Sequence, residues 1–142
     1  MDQEMINRLG DELYAAFLSR NTIKPLTERG LDITLEQASL IKKRFVARGL
    51  DAGESVVGKK MGVTSKPVKQ FLGVFQPDFG ILTSGMLMSD GNVIDLDGLI
   101  QPKAEAELAF VLKEDLNGPG ITAMDVIRAT DYVVPCFEIV DS

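Results

Sequence analysis

The stretch IQPKAEAELAFVL, residues 100–112, places two glutamates, Glu105 and Glu107, in an otherwise apolar run. Alternate residues of a β-strand point to the same face, so a strand here would hold both carboxylates side by side. A helix is the alternative, because Ala, Glu and Leu are good helix formers, and it would leave both glutamates in solvent. Residues two apart on a helix do not share a face, and the LAFVL that follows has no polar side, which favours the strand.

Two carboxylates on one face of a strand are unfavourable unless a partner compensates their charge, because like charges held close together repel. A divalent cation between them would remove that repulsion. Carboxylate oxygens suit a hard cation, and the chain has no histidine, so the pattern favours Mg²⁺ or Mn²⁺. Glu138 is the candidate third ligand. It is an isolated acid between Phe137 and Ile139, where a charge is costly unless it is paired or bound to a metal.

Composition narrows the chemistry that the chain can carry. Its 142 residues, 45% of them hydrophobic, are enough for one ordinary globular core. A net charge of −6 argues against a nucleic-acid partner. One cysteine and no histidine exclude an internal disulfide, a Cys-based zinc site, a histidine general base and a Ser-His-Asp triad. Carboxylates, lysines, hydroxyls and backbone groups are left to do any chemistry.

The N-terminus and the hydropathy pattern give an expectation about location. The opening MDQEMINRLGDELYAAF carries acids where a signal peptide carries bases. No segment approaches the run of about 20 apolar residues that a membrane span needs. We therefore expect a soluble, cytoplasmic protein without a membrane partner.

The order of the predicted elements is helices first and strands afterwards. Apolar spacing predicts one helix over residues 3–19 and a second over 35–48, with Thr34 as N-cap and Gly49 as the stop. The chain then reads as an N-terminal helical region, residues 1–52, followed by a mainly β region, residues 53–142. The later predictions are a strand in 54–65, a short helix ending at Gly73, a short strand in SDGNVIDL (89–96), a helix capped by Thr122, and a last strand in 131–142.

A pair of lysines and one aspartate outside the glutamates are also candidates for a functional role. Lys59 and Lys60 lie between two glycines in a strand pattern and point to opposite faces, so one of them can face inward. An inward lysine can bind an anion or transfer protons, whereas the alternative is that both are surface lysines in solvent. Asp78 lies in QPDFG, where the simple interpretation is a turn aspartate that hydrogen-bonds its own backbone.

Several longer stretches carry a resemblance to a known family. These are GKKMGVTSK (58–66), LGVFQPDFG (72–80), LIQPKAEAELAFVLK (99–113) and PCFEIVDS (135–142). Together they resemble the 2-hydroxypenta-2,4-dienoate hydratases, also called 2-oxopent-4-enoate or vinylpyruvate hydratases, of the fumarylacetoacetate hydrolase superfamily. The resemblance implies an α+β fold in which N-terminal helices precede part of a mixed β-roll of the fumarylacetoacetate hydrolase C-terminal-domain type. Members of the family are longer, so the chain looks like the N-terminal part of such a protein, with an incomplete roll.

The resemblance also implies a site and a reaction. Glu105, Glu107 and Glu138 match three carboxylates that hold Mg²⁺ or Mn²⁺, while Lys60 and Asp78 match catalytic positions beside the substrate. The implied reaction is the hydration of 2-hydroxypenta-2,4-dienoate to 4-hydroxy-2-oxopentanoate in the meta-cleavage degradation of aromatic compounds. Homo-oligomers are expected, and association with 4-oxalocrotonate decarboxylase is a further implied partnership.

Two alternatives stay open at this point. One is the sister enzyme 4-oxalocrotonate (2-oxo-3-hexenedioate) decarboxylase, although the QPKAEAE of residues 101–107 looks closer to the hydratases. The other is a non-catalytic fragment or assembly module.

Overall fold

The computed structural model describes residues 1–141, with every side chain in that range except that of Leu72. The chain forms two compact units, one from Met1 to Ile94 and one that starts at Asp95. The boundary expected at residue 52, between a helical region and a β-roll part, stays a prediction. Ser142, the last residue of the predicted β-roll part, lies outside the described residues.

Two helices of equal length open the first unit. Helix α1 spans Gln3–Ser19 and helix α2 spans Leu35–Asp51. Their contacts advance in the same direction along both helices, from Gly10 beside the Ile41 backbone to Tyr14 against Phe45. The small core between them contains Ile6, Leu9 and Ile41, which are almost fully buried. Burial of such side chains stabilises the pair by roughly 1.5–3 kcal/mol each.

The two helices approach closely at a glycine. A Cβ at Gly10 would lie 2.6 Å from Cβ of Arg44, so a larger residue would push the helices apart. The arginine also donates a hydrogen bond from Nε to the Asp11 carboxylate at 2.7 Å. Arg29, in the connection between the helices, forms a second ion pair, with the Glu12 carboxylate at 2.8 Å. These contacts hold α1, α2 and their connection as one body.

The start of α2 follows the sequence prediction, whereas its end does not. Thr34 and Gln37 form the predicted capping box. The predicted stop at Gly49 is wrong, because the helix runs on to Asp51. Gly49 is buried inside the helix, and Gly53, with φ of +96°, supplies the left-handed residue that follows the helix end.

A two-stranded sheet completes the first unit. Strand β1, Val56–Gly62, pairs antiparallel with strand β2, Asp78–Thr83. Helix α3, Lys66–Leu72, lies between them in sequence, with Ser65 as N-cap and Gly73 in the left-handed conformation after its last residue. The predicted strand and short helix are confirmed.

The second unit is a long β-ribbon with one short helix. Strand β3, Lys103–Leu112, pairs antiparallel with strand β4, Thr130–Val140, and helix α4, Ala123–Ala129, precedes β4. The strand predicted in residues 89–96 is wrong. The backbone there forms turns and leads into a short 3₁₀ turn, Leu96–Gly98, because the Asp95 side chain accepts a hydrogen bond from the backbone N–H of Asp97.

The architecture confirms the predicted α+β class. Residues 1–141 contain helices and two antiparallel two-stranded sheets, and within this part of the chain no barrel closes. None of the described helices is long and apolar enough to cross a membrane.

Candidate metal centre

The register of β3 and β4 brings the three predicted ligands together. Glu105 lies directly opposite Glu138 in the antiparallel pair, and Glu107 lies two residues along β3 on the same face. Each glutamate offers one carboxylate oxygen, and these three atoms all lie within 4.8 Å of one another. The strand interpretation of residues 100–112 is therefore confirmed, and the helical alternative is wrong.

The charge and exposure of this glutamate cluster define what it can bind. Glu105 and Glu107 are exposed, and Glu138 is half-buried. If the charges interact through water, each pair of carboxylates at this separation repels by about 1 kcal/mol. A cation placed among the three oxygens would replace that repulsion with attraction. The donors are all oxygen atoms, which is the ligand chemistry that Mg²⁺, Mn²⁺ and Ca²⁺ prefer, so the residues fit a hard divalent cation.

A thiol lies next to the cluster on the same face. Cys136 is exposed and is the cross-strand partner of Glu107. Among the described residues, the group whose ligand atoms lie within 4.8 Å of one another consists of the three glutamates and does not include Cys136. All of its donors are therefore hard oxygen atoms. The sequence could have predicted that Cys136 shares a face with Glu138, because the two residues are two positions apart in one apolar strand.

An aspartate at the end of β4 fixes the approach to β3. The Asp141 carboxylate accepts hydrogen bonds from the backbone N–H of Ile100 at 2.9 Å and of Gln101 at 2.7 Å. These bonds tie the segment before β3 to the residue after β4, close to the Glu105–Glu138 pair. No local sequence pattern points to this role of Asp141, because its two partners lie about 40 residues away.

A capped helix precedes β4 and fixes its N-terminal end. Thr122 and Asp125 form a capping box at the start of α4, and the chain passes directly from this helix into β4. Hydrogen bonds from the side chain and backbone of Thr122 hold the pKa of Asp125 below its ordinary value. Thr122 was the predicted N-cap, and it is confirmed.

Lys60 lies in the first unit, on the face of β1 that carries Gly58 and Gly62. It is half-buried, whereas its neighbour Lys59 is exposed, so Lys60 is the inward lysine of the pair. Its stem crosses Gly80 on β2, where a Cβ would lie 2.6 Å from Lys60 Cγ. Its ammonium group reaches toward Gly62, since a Cβ there would lie 3.7 Å from Lys60 Nζ. The two glycines leave room for this side chain.

Asp78 is the first residue of β2 and not a turn residue, so the turn interpretation is wrong. It pairs with Gly62, which places its side chain on the same face of the sheet as Lys60. The Lys42 ammonium donates to the Asp78 carboxylate at 3.2 Å and also to the backbone C=O of Phe79. Lys42, on α2, was not a sequence candidate, because no local pattern links it to a strand 36 residues later.

The structure thus groups the five candidates into two sets. The three glutamates lie together in the second unit, and Lys60 and Asp78 share a sheet face in the first.

Comparison with known proteins shows which proteins the chain is similar to. No family model matches the sequence. A 2-hydroxypent-2,4-dienoate hydratase from Pseudomonas putida is 56% identical over 143 residues, covering 100% of this chain and 64% of that relative. A 2-hydroxyhexa-2,4-dienoate hydratase from Comamonas testosteroni is 50% identical, covering 99% of this chain and 54% of the relative.

Solved structures agree with this relationship. The 4-oxalocrotonate decarboxylase from Pseudomonas putida G7, complexed with magnesium and adipate, matches with a TM-score of 0.93 at 35% identity. The match covers 100% of this chain and 54% of the decarboxylase chain. The chain therefore spans between about half and two thirds of the proteins that it matches. High identity over its whole length shows that the protein is a homologue of the 2-hydroxypenta-2,4-dienoate hydratases, matched over part of their length.

Proposed function

We propose that the protein takes part in the metal-dependent hydration of 2-hydroxypenta-2,4-dienoate to 4-hydroxy-2-oxopentanoate, in the meta-cleavage degradation of aromatic compounds. The observation that carries the proposal is the glutamate cluster on β3 and β4, in a chain 56% identical to a protein named for this substrate. It supports a hydro-lyase with a site for a divalent cation.

In this proposal Glu105, Glu107 and Glu138 hold Mg²⁺ or Mn²⁺. The oxygen-only donor set supports a hard cation, and the related decarboxylase structures contain magnesium or calcium. When bound, the cation would supply Lewis-acid stabilisation of negative charge on the carboxylate and 2-oxygen of the substrate.

Lys60 and Asp78 are proposed to serve the proton transfers. Hydration requires a proton to leave the 2-hydroxyl group, a proton to reach C5, and water to add its hydroxyl at C4 and its hydrogen at C3. A lysine and an aspartate on one sheet face offer a donor and an acceptor for these steps. The bond from Lys42 restrains the Asp78 carboxylate, which supports a role for Asp78 in orienting a water molecule.

A second candidate reaction is decarboxylation of 4-oxalocrotonate. The specific observation in its favour is the TM-score of 0.93 to an enzyme of that name. Its identity to this chain is 35%, against 56% for the hydratase from Pseudomonas putida, so hydration is the better supported reaction.

The proposal extends to assembly and location. Homo-oligomers and association with a 4-oxalocrotonate decarboxylase, which the sequence resemblance implies, belong to the proposal. Catabolism of a small 2-hydroxydienoate fits a cytoplasmic protein.

The test is a spectrophotometric assay of the 142-residue chain with freshly generated 2-hydroxypenta-2,4-dienoate and Mg²⁺ or Mn²⁺. We expect metal-dependent loss of the dienol absorbance, 4-hydroxy-2-oxopentanoate as product and no CO₂. Glu107→Gln should abolish turnover, whereas Glu114→Gln, an exposed glutamate on the same unit outside the cluster, should not. No turnover, CO₂ release from 4-oxalocrotonate, or full activity in EDTA would contradict the proposal.

A further inference from the structure

Lys42 joins helix α2 to the first two residues of strand β2. Its ammonium group donates to the Asp78 carboxylate at 3.2 Å and also to the backbone C=O of Phe79. A lysine ammonium group has three N–H donors, which is enough for both bonds at once. One side chain of α2 therefore contacts a candidate catalytic carboxylate and the backbone beside it.

The packing of α2 on α1 holds the backbone of Lys42 in place. The preceding residue, Ile41, is 2% exposed and belongs to the core between the two helices. Arg44, two residues further along α2, donates from Nε to the Asp11 carboxylate of α1 at 2.7 Å. The backbone of Lys42 is therefore fixed from both sides, and only its side chain has to be ordered to reach β2.

The Asp78 side chain needs such a restraint because it is open to solvent. It is 75% exposed, whereas the backbone of Asp78 is held by pairing with Gly62 on β1. Packing of neighbouring side chains is therefore too sparse to select one rotamer of Asp78, and the bond from Lys42 restrains the carboxylate instead. Catalysis depends on such restraints, because misplacing a reacting group by about 1 Å can lower the rate by about 100-fold.

The exposure of the Lys42–Asp78 ion pair argues for a role in function and not in stability. The Lys42 side chain is 45% exposed, and ion pairs between exposed side chains add little to the free energy of unfolding. Lys60 lies on the same sheet face as Asp78, and its ammonium group is near Gly62, the cross-strand partner of Asp78. Lys42 thus holds one of the two neighbouring groups to which the proposed function assigns proton transfer.

We propose that Lys42 is a positioning residue for the hydration and acts through Asp78. Its ammonium group holds the Asp78 carboxylate in the orientation that directs a water molecule or a proton to the substrate. Lys42 itself transfers no proton. The inference rests on the proposed function and adds to it a residue of helix α2, outside the two sheets that carry the five candidate site residues.

The first test compares the hydration kinetics of Lys42→Met with those of Lys43→Met, the matched control. Lys43 is the next residue of the same helix, is exposed, and loses the same charge. We expect Lys42→Met to lower kcat by about tenfold and to change KM by less than about twofold, because orientation of a reacting group acts on the chemical step. Lys43→Met should change neither value. Lys42→Arg, which keeps the charge and the N–H donors, should restore most of kcat.

A double variant tests whether Lys42 acts through Asp78. Asp78→Asn should lower kcat by about 100-fold or more, as the loss of a general acid–base group does. If Lys42 acts only by holding this carboxylate, adding Lys42→Met to Asp78→Asn should lower kcat no further. Urea unfolding of Lys42→Met should have the same midpoint as that of the unmodified chain, which separates positioning from a structural role.

Nuclear magnetic resonance of the Asp78 carboxyl carbon gives a measurement that does not depend on turnover. In a chain labelled with carbon-13 at the aspartate Cγ atoms, the Asp78 signal should shift in Lys42→Met, because the carboxylate loses its ammonium partner. The same signal should be unchanged in Lys43→Met.

Four results would overturn the inference: an unchanged Asp78 signal in Lys42→Met, an unchanged kcat, a rise in KM alone, or losses that multiply in the double variant. The two measurements also separate this inference from the proposed function. A shifted Asp78 signal in a chain without turnover would contradict the hydration and support the restraint by Lys42. Turnover with an unchanged signal would support the hydration and refute the role of Lys42.

Discussion

Glu138→Gln is expected to weaken binding of a divalent cation by about 30-fold, and the value follows from the geometry of the cluster. At a metal–oxygen distance of about 2.1 Å, one carboxylate attracts a divalent cation by about 4 kcal/mol in a water-like dielectric. That dielectric is appropriate because Glu105 and Glu107 are exposed. The glutamine amide oxygen can still coordinate the cation with a partial negative charge, so about half of this attraction remains. The net loss is about 2 kcal/mol, or roughly 30-fold in the dissociation constant.

The assay is a Mn²⁺ titration followed by electron paramagnetic resonance, in which the signal of free Mn²⁺ falls as the ion binds. Glu114→Gln, an exposed glutamate outside the cluster, is the control and should bind as the unmodified chain does. A change of less than about threefold in Glu138→Gln, or an equal loss in the control, would refute the assignment of the cation to this cluster.

The remaining predictions concern the first unit. The hydrogen bond from Arg44 lowers the pKa of Asp11, so this contribution to stability is present above the ordinary aspartate range and is lost as the pH falls through the depressed value. In urea unfolding from pH 6 to pH 2, the free energy of unfolding should therefore fall less steeply with pH in Asp11→Asn than in the unmodified chain. Equal slopes in the two proteins would contradict this. Gly80→Ala should cost about 1–3 kcal/mol by crowding Lys60 Cγ, and a double substitution with Lys60→Ala should recover most of that loss in chemical denaturation. The Thr83 hydroxyl is buried without a hydrogen-bond partner among the described residues, so Thr83→Val should raise the free energy of unfolding by about 1 kcal/mol, and a fall would show that the hydroxyl is satisfied.

Local chemistry predicted most of the elements and their caps. Thr34 and Thr122 each accept the backbone hydrogen bond of a helix start, as their residue types and spacing indicated. These predictions succeed because a cap needs groups only three residues apart. The stop at Gly49 failed for the opposite reason. A glycine is needed after a helix only where the backbone turns left-handed, and here Gly53 has that conformation.

The sequence likewise predicted one part of the candidate site, and strand pairing decided the other. Alternation along β3 placed Glu105 and Glu107 on one face, and this needs no information from outside the strand. That Glu138 lies opposite Glu105 depends on the register of two strands joined by a long connection. A shift by one residue would turn its carboxylate to the apolar face. The sequence named Glu138 by its isolation among apolar residues, and the pairing of the strands gave it its neighbours.

No local sequence pattern could predict the hydrogen bonds between residues far apart in the chain. The bond from Lys42 to Asp78 joins a helix to a strand, and the bonds from Ile100 and Gln101 to Asp141 join the segment before β3 to the residue after β4. The order of elements, their caps and the alternation of side chains depend on interactions within a few residues, and the sequence alone was enough for them. Strand register and the contacts between elements depend on groups about 30 to 40 residues apart, and only the folded chain brings those groups together.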